Sequence, residues 1–209
     1  MNMTLTNMKK LVILLAAALV SFSAAAQDSF MSHMFLPVDA GASFSTRDGI
    51  GGAFYMRASL EYRPNIQKGL FVLAELDTRT HPYSYGGVVW GNAQSGDAAF
   101  VDILVGPGWR FMLSDTFKIA VGLQGGVSNV AVKEVSLASG TPGMYDLGGL
   151  DKWSMAVKAS AMLEFYLTPS FDLFLGLGLP ATFVPDETAS ANPVVLFPTL
   201  SIGFNMALQ

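Results

Sequence analysis

The segment KWSMAVKASAMLEFY, residues 152–166, alternates between two kinds of side chain over its whole length. A period of two indicates a β-strand whose two faces meet different surroundings. Strands in soluble proteins usually run about 5–6 residues, whereas a tilted strand needs about 9–11 residues to cross a bilayer. One face is wholly apolar and is bounded by an aromatic residue at each end, as at the two membrane interfaces: Trp153, Met155, Val157, Ala159, Ala161, Leu163 and Phe165.

A single strand of this kind cannot cross lipid alone, because its backbone N–H and C=O groups would stay unpaired. The rest of the chain supplies further alternating segments, and the connections between them are alternately short and generally longer. This rhythm is typical of outer-membrane barrels with short periplasmic turns and longer surface loops. We therefore predict an all-β fold, an eight-stranded antiparallel up-and-down transmembrane β-barrel, with strands at 38–46, 53–63, 70–80, 98–112, 117–130, 152–166, 171–184 and 194–208.

The composition narrows the possible functions. The chain has 209 residues, 13% of them charged, with no cysteine and two histidines. Without cysteine there is no disulfide framework and no thiolate metal site, and two histidines make a metal cluster improbable. We predict no metal and no cofactor. A soluble, lipocalin-like barrel is the alternative fold, but it would have to expose the polar faces of these strands and bury their long apolar faces.

The N-terminus has the pattern of an export signal. Lys9 and Lys10 precede an apolar stretch, residues 11–22, and small residues at 24–26 form a cleavage site. Met8 is an alternative start, because the residues before it add nothing to the signal. A membrane-anchoring helix is a further alternative, although the apolar stretch is short for one.

This pattern predicts two parts of the chain, a cleaved signal peptide at 1–26 and an outer-membrane β-barrel domain at 27–209. The mature domain would carry a formal charge of −6, from 16 acidic and ten basic residues. A negative domain is a poor partner for nucleic acid, which is bound by basic patches.

The signal ending Ala24-Ala25-Ala26-Gln27, together with the eight alternating strands, resembles the small outer-membrane β-barrel proteins of the Bacteroidota. These are similar in architecture to the OmpA barrel and to OmpX-type proteins and are often described as porin-family. The resemblance implies location in the bacterial outer membrane, in contact with its lipid, and we expect a monomer. One departure is the C-terminal Gln209, where many such proteins end in an aromatic residue.

The inward faces of the predicted strands carry six acidic and six basic side chains. In the narrow interior of an eight-stranded barrel these charges must neutralise one another. Inward-facing glycines at 106, 108, 122, 126, 176 and 178 are expected to make room for the long Arg and Lys side chains. The predicted lumen charge network consists of Arg57, Glu61, Arg63, Glu75, Asp77, Arg79, Asp102, Arg110, Lys118, Lys158, Glu164 and Asp172.

Three functions are compatible with this plan. The favoured one is a structural or surface-binding role, through long loops at 81–97 and 131–151 that meet an extracellular ligand or protein. Candidate binding residues in the first of these loops are His81, Tyr83, Tyr85 and Trp90, although such aromatic residues also serve as membrane anchors. The second function is porin-like passage of small solutes. The third, a lipid-modifying enzyme, has only His81 beside Ser84 to support it, and we predict no enzyme.

Overall fold

The computed structural model describes residues 31–46, 50–85, 94–132, 150–183 and 194–208. The proposed signal peptide and the residues 86–93, 133–149 and 184–193 lie outside these ranges. No helix in the described part of the chain is long and apolar enough to cross a membrane. The strands are β1 (Met34–Ser43), β2 (Ala53–Tyr62), β3 (Gly69–Tyr85), β4 (Gln94–Met112), β5 (Phe117–Val132), β6 (Leu150–Thr168), β7 (Phe171–Phe183), β8 (Val194–Leu196) and β9 (Thr199–Ala207).

The strands form a closed barrel in which every neighbouring pair is antiparallel. Each of β1 to β6 pairs with the next strand, β7 pairs with both β8 and β9, and β9 returns to β1. Between β8 and β9, Pro198 has no N–H to give to the ladder. Its carbonyl still accepts a hydrogen bond from Phe44 N at 2.9 Å. The eighth strand is thus one strand divided by a proline, and the predicted eight-stranded antiparallel barrel is confirmed.

The two faces of the barrel wall have opposite chemistry. Large apolar side chains are exposed on the outside, for example Leu123 at 65%, Leu177 at 61% and Ile202 at 65%. Charged side chains are buried on the inside. A soluble barrel would have the reverse arrangement, so the lipocalin-like alternative is wrong. The apolar outside is the surface that a transmembrane barrel presents to lipid.

The barrel has unequal height. We call the end with the connections 63–68, 113–116 and 169–170 the turn end, and the opposite end the loop end. β1 and β2 have 10 residues each, whereas β4 and β6 have 19. With a rise of about 3.3 Å per residue and a tilt of about 40°, these lengths span about 25 Å and about 48 Å, against an apolar band of about 25 Å. β3 and β4 therefore project furthest at the loop end, whereas the outer face of β6 stays apolar as far as Trp153, three residues after the strand begins.

Several predicted boundaries need correction. The loop predicted at 81–97 is shorter, because β3 continues to Tyr85 and pairs there with Gln94 at the start of β4. Above the lipid a strand needs no apolar outer face, so this extension lacks the alternation that marks the lower part. The first strand begins at Met34 rather than at residue 38, and β6 begins at Leu150. The remainder of the loop predicted at 131–151 lies outside the described residues.

Candidate functional site: the lumen charge network

The structure places all twelve predicted lumen residues inside the barrel, each at most 4% exposed. The alternation of the strands puts them there, since every second residue faces inward. One lumen charge was missed. Asp39 is 3% exposed and lies on β1 between Val38 and Ala40. The alternation of the first predicted strand, 38–46, was sufficient to predict that the Asp39 side chain faces inward. Seven acids and six bases therefore share the described lumen.

The charges nearest the turn end form a balanced group of three acids and three bases. Arg110 holds it together: its Nε donates to Glu164 Oε2 at 2.7 Å, and its Nη2 donates to Glu61 Oε1 at 2.7 Å and to Glu164 Oε1 at 2.8 Å. Arg63 Nε donates to the same Glu61 Oε1 at 2.9 Å, and Arg63 Nη2 donates to the other oxygen, Oε2, at 3.2 Å. We call this group the turn-end cluster: Glu61, Arg63, Arg110, Lys118, Glu164 and Asp172.

An apolar layer separates this cluster from the next. Cationic side chains lie over the aromatic rings at its borders, with the guanidinium carbon of Arg110 5.0 Å from the ring centre of Phe71 and that of Arg57 5.8 Å from that of Phe174. Such contacts are favourable where water is excluded. The layer consists of Phe71, Leu73, Ala120, Met162 and Phe174.

The second group of charges, the loop-end cluster, is not balanced. Three close pairs account for six of its members: Arg57 Nε to Asp39 Oδ1 at 2.8 Å, Lys158 Nζ to Glu75 Oε1 at 2.7 Å and Arg79 Nη1 to Asp102 Oδ2 at 2.6 Å. The seventh member, Asp77, has only longer contacts, with Lys158 at 3.3 Å and Arg79 at 3.4 Å, and both of these bases are already paired. The cluster consists of Asp39, Arg57, Glu75, Asp77, Arg79, Asp102 and Lys158.

A second apolar group closes the lumen above the loop-end cluster. Phe100 and Phe197 are in ring contact, with centres 4.7 Å apart, and the Arg79 guanidinium carbon lies 4.6 Å from the centre of Phe197. This apolar cap consists of Ala98, Phe100, Val130, Val195 and Phe197, with Ile50 against it. Side chains thus fill the described lumen from end to end.

The predicted role of the inward glycines is largely wrong. Of the glycines that point inward, only Gly178 lies beside a long basic side chain: a β-carbon there would be 3.2 Å from Lys158 Cε. At Gly108 the space is taken by the ring of Phe71, and at Gly176 by the Ser201 hydroxyl. The glycines therefore mainly accommodate rings, hydroxyl groups and, at Gly106 and Gly126, backbone carbonyls of neighbouring strands.

The candidate loop residues have different positions from those predicted. His81 lies in β3 and is fully buried, so its assignment to an exposed loop is wrong. The alternation that turns Arg79 inward also turns His81 inward, where its ring meets Phe100 and Phe197. Tyr83 and Tyr85 also lie in β3, and Trp90 lies outside the described residues. A binding role for this region stays a prediction.

His81 makes a pair with a serine that the sequence did not suggest. Its Nδ1 is 2.7 Å from the Gly51 carbonyl oxygen, which can only accept, so Nδ1 carries the proton. The other nitrogen, Nε2, accepts from Ser43 Oγ at 3.3 Å. A base beside a serine hydroxyl is the arrangement of a nucleophile and its activator. Here both residues are fully buried and the His81 ring packs against the apolar cap, so the pair ties β1 and the first loop to β3.

Similarity to known proteins is seen in structure only. No protein-family model matches the chain, and no curated protein matches its sequence. Neisserial surface protein A is similar at a TM-score of 0.55 with 20% identity, covering 84% of this chain and 97% of that one. Ail, the attachment invasion locus protein of Yersinia pestis, in complex with the heparin analogue sucrose octasulfate, matches at 0.49 with 12% identity, over 83% and 98% of the two chains.

The outer membrane protein OprG from Pseudomonas aeruginosa matches at a TM-score of 0.48 with 14% identity, over 83% of this chain and 95% of that one. The matches to OprG and Ail have TM-scores below 0.5 and show only a general structural likeness. At 20% identity, the likeness to the neisserial protein shows the fold alone, the closed eight-stranded antiparallel barrel described above.

Proposed function

We propose that this protein is a non-enzymatic, non-conducting barrel of the bacterial outer membrane that acts through its loop end. The observation that carries the proposal is the unequal height of the barrel. The β3–β4 hairpin continues for seven residues on each strand beyond the row formed by Thr78, Val101 and Trp153, or about 18 Å along the barrel axis. β5 and β6 continue beyond the same row for three residues each, which makes one projecting sheet of unequal height. A barrel with a purely structural role inside the membrane would not need strands that extend beyond the lipid. The further assignment to the Bacteroidota rests on the sequence resemblance.

The edges of the projecting sheet support a role in binding proteins. β2 pairs with β3 only as far as Tyr55 opposite Arg79, while β3 continues to Tyr85. Beyond Arg79, Gly51 N of the first loop donates to Pro82 O at 2.7 Å, so the edge of β3 is only partly occupied. On the other side, β6 begins at Leu150 but its pairing with β7 in the described residues starts at Ala156. A strand edge offers N–H and C=O groups to an extended segment of another protein. We propose that an extracellular protein is the partner and that the barrel itself is monomeric.

Location and orientation can be tested by cysteine labelling, since the chain has no cysteine of its own. Thr80→Cys places a thiol on an exposed outward position of the projecting sheet, and Lys68→Cys places one on an exposed turn at the other end. On intact cells, a membrane-impermeant maleimide should label the first variant and leave the second unlabelled until the outer membrane is opened. The opposite pattern would invert the orientation, and no labelling of either in opened cells would contradict surface location.

The surface role can be tested by shortening the projecting sheet. A variant in which a two-residue turn joins Pro82 to Asp97 removes the upper part of the β3–β4 hairpin and keeps the buried His81 and Ala98 below it. Cells that carry it should lose attachment to protein-coated surfaces relative to cells with the intact chain. Heat-modifiability on a gel gives the control, because the intact chain and the shortened variant must both migrate as folded barrels. Unchanged attachment would contradict a role for the projection.

Passage of small solutes is the second candidate, because the barrel encloses an interior. The filled lumen argues against it: the charged side chains and the apolar groups in the described interior leave the largest of them, including Arg63, Arg110 and Phe71, below 2% exposed. Planar-bilayer recordings of the refolded protein should show no conductance steps. Reproducible steps that change on substitution of Arg57 or Lys158 would instead establish a pore.

A further inference from the structure

Four oxygen-bearing side chains lie in one row across the inner face of the barrel. Asp77 is directly opposite Asp102, Asp102 is opposite Ser128, and Ser128 is opposite Ser154. Side chains directly opposite each other on neighbouring antiparallel strands have Cβ atoms about 4.5–5.5 Å apart. We call these four residues the oxygen row. It crosses β3, β4, β5 and β6 at the level of the loop-end cluster.

Three oxygen atoms of the row have no hydrogen-bond partner of good geometry, although the Ser128 hydroxyl and the Asp102 carboxylate are near enough to interact with each other. These three atoms are Asp102 Oδ1, Ser128 Oγ and Ser154 Oγ, and each is buried. Asp102 and Ser128 are fully buried as whole residues. Buried polar atoms are almost always satisfied, and an unsatisfied carboxylate oxygen is especially unfavourable. The contiguity of these atoms in one row indicates a common partner for them.

The charge at this level is also incomplete. Each base of the loop-end cluster has a closer carboxylate than Asp77, which lies 3.3 Å from Lys158 and 3.4 Å from Arg79. Arg79 is 2.6 Å from Asp102 and Lys158 is 2.7 Å from Glu75. One negative charge therefore remains without its own counterion, and it belongs to a residue of the oxygen row. In a closed lumen such a charge requires compensation.

We propose that the oxygen row binds one small monovalent cation, with Na⁺ as the representative. Carboxylate and hydroxyl oxygens are the donors that hard cations prefer. One positive charge cancels the surplus of the loop-end cluster, whereas a divalent ion would leave an excess of the opposite sign. No group of three or more His, Cys, Asp or Glu residues in the described ranges could hold a metal ion. The ion would therefore depend on the two serine hydroxyls as well as on the carboxylates.

The test compares thermal unfolding of the refolded full chain in micelles with NaCl and with choline chloride at equal ionic strength and constant pH. Na⁺ should raise the midpoint by about 5 °C, and the shift should grow with the logarithm of the NaCl concentration above the Kd, since a ligand that binds only the folded state stabilises it logarithmically with its concentration. Broadening of the ²³Na NMR signal by the wild-type protein should accompany the shift. This second measurement needs no variant.

Ser128→Ala should abolish the Na⁺-dependent shift. Ser59→Ala is the matched control, because Ser59 is also a buried lumen serine whose Oγ has no partner but lies outside the row. It should keep the full shift. Equal midpoints in NaCl and choline chloride would overturn the proposal, as would a full shift in Ser128→Ala. A midpoint that responds to pH but not to Na⁺ would also overturn it, in favour of a proton on one of the two aspartates.

Discussion

Replacing Arg110 by methionine tests whether the turn-end cluster stabilises the barrel. The guanidinium makes three charge-assisted hydrogen bonds of 2.7–2.8 Å to Glu61 and Glu164. After Arg110→Met, Glu61 keeps its contact with Arg63. Glu164 keeps one ion-pair contact, with Arg63 Nη2, and that contact is long at 4.0 Å. Removing one partner of a buried ion pair costs about 3–5 kcal/mol, because the remaining charge is left uncompensated. We expect the free energy of unfolding to fall by this amount.

The measurement is equilibrium urea unfolding of the protein in lipid vesicles, followed by tryptophan fluorescence. The double variant Arg110→Met/Glu164→Gln is the control. It removes the carboxylate that the single variant strands, so it should recover at least half of the lost free energy. A loss below about 1 kcal/mol in the single variant would refute the reasoning, since that is the range of exposed pairs. A double variant no more stable than the single one would refute it too.

Three further outcomes follow from the barrel wall and its closure. Gly203→Val should fail to give the heat-modifiable folded band, because an added side chain would meet both neighbouring strands, whereas Gly125→Ala, with nothing within 4 Å, should fold normally. Leu177→Arg, at a lipid-facing position, should lower the free energy of unfolding in vesicles by about 2–4 kcal/mol, and Leu177→Ala by clearly less. His81→Ala should lower it by about 2–4 kcal/mol through the lost buried ring, and Ser43→Ala by about 1 kcal/mol, both measured by urea unfolding; equal effects would contradict the described contacts.

The fold could be predicted from sequence because the membrane and the lumen impose opposite demands on alternate residues. Within the apolar band this rule has few exceptions, and it placed charges as distant in sequence as Arg57 and Asp172 inside the barrel. Above the band both faces can be polar. The rule then gives no signal, and the strand residues from His81 to Tyr85 were predicted as a loop.

The pairing of the lumen charges could not be predicted in the same way. Which residues meet depends on the register and the tilt of strands that are far apart in sequence, as with Lys158 and Glu75. Alternation gives the face of a residue but not its height. The same limit explains the serine partner of His81, since Ser43 becomes its neighbour only when β1 and β3 stand at fixed heights on either side of β2.

The position of Asp39 has a consequence for how the barrel is assembled. Its carboxylate accepts from Arg57 on β2 and, at 2.6 Å, from Ser201 Oγ on β9, so it lies at the junction of the first and last strands. Synthesis delivers these groups at opposite ends of the chain, and the contact is complete only after the C-terminal strand joins the N-terminal one. Before that junction forms, the ion pair faces an open groove. Insertion should therefore be all-or-none, and a chain truncated ahead of Ser201 should accumulate as unassembled polypeptide.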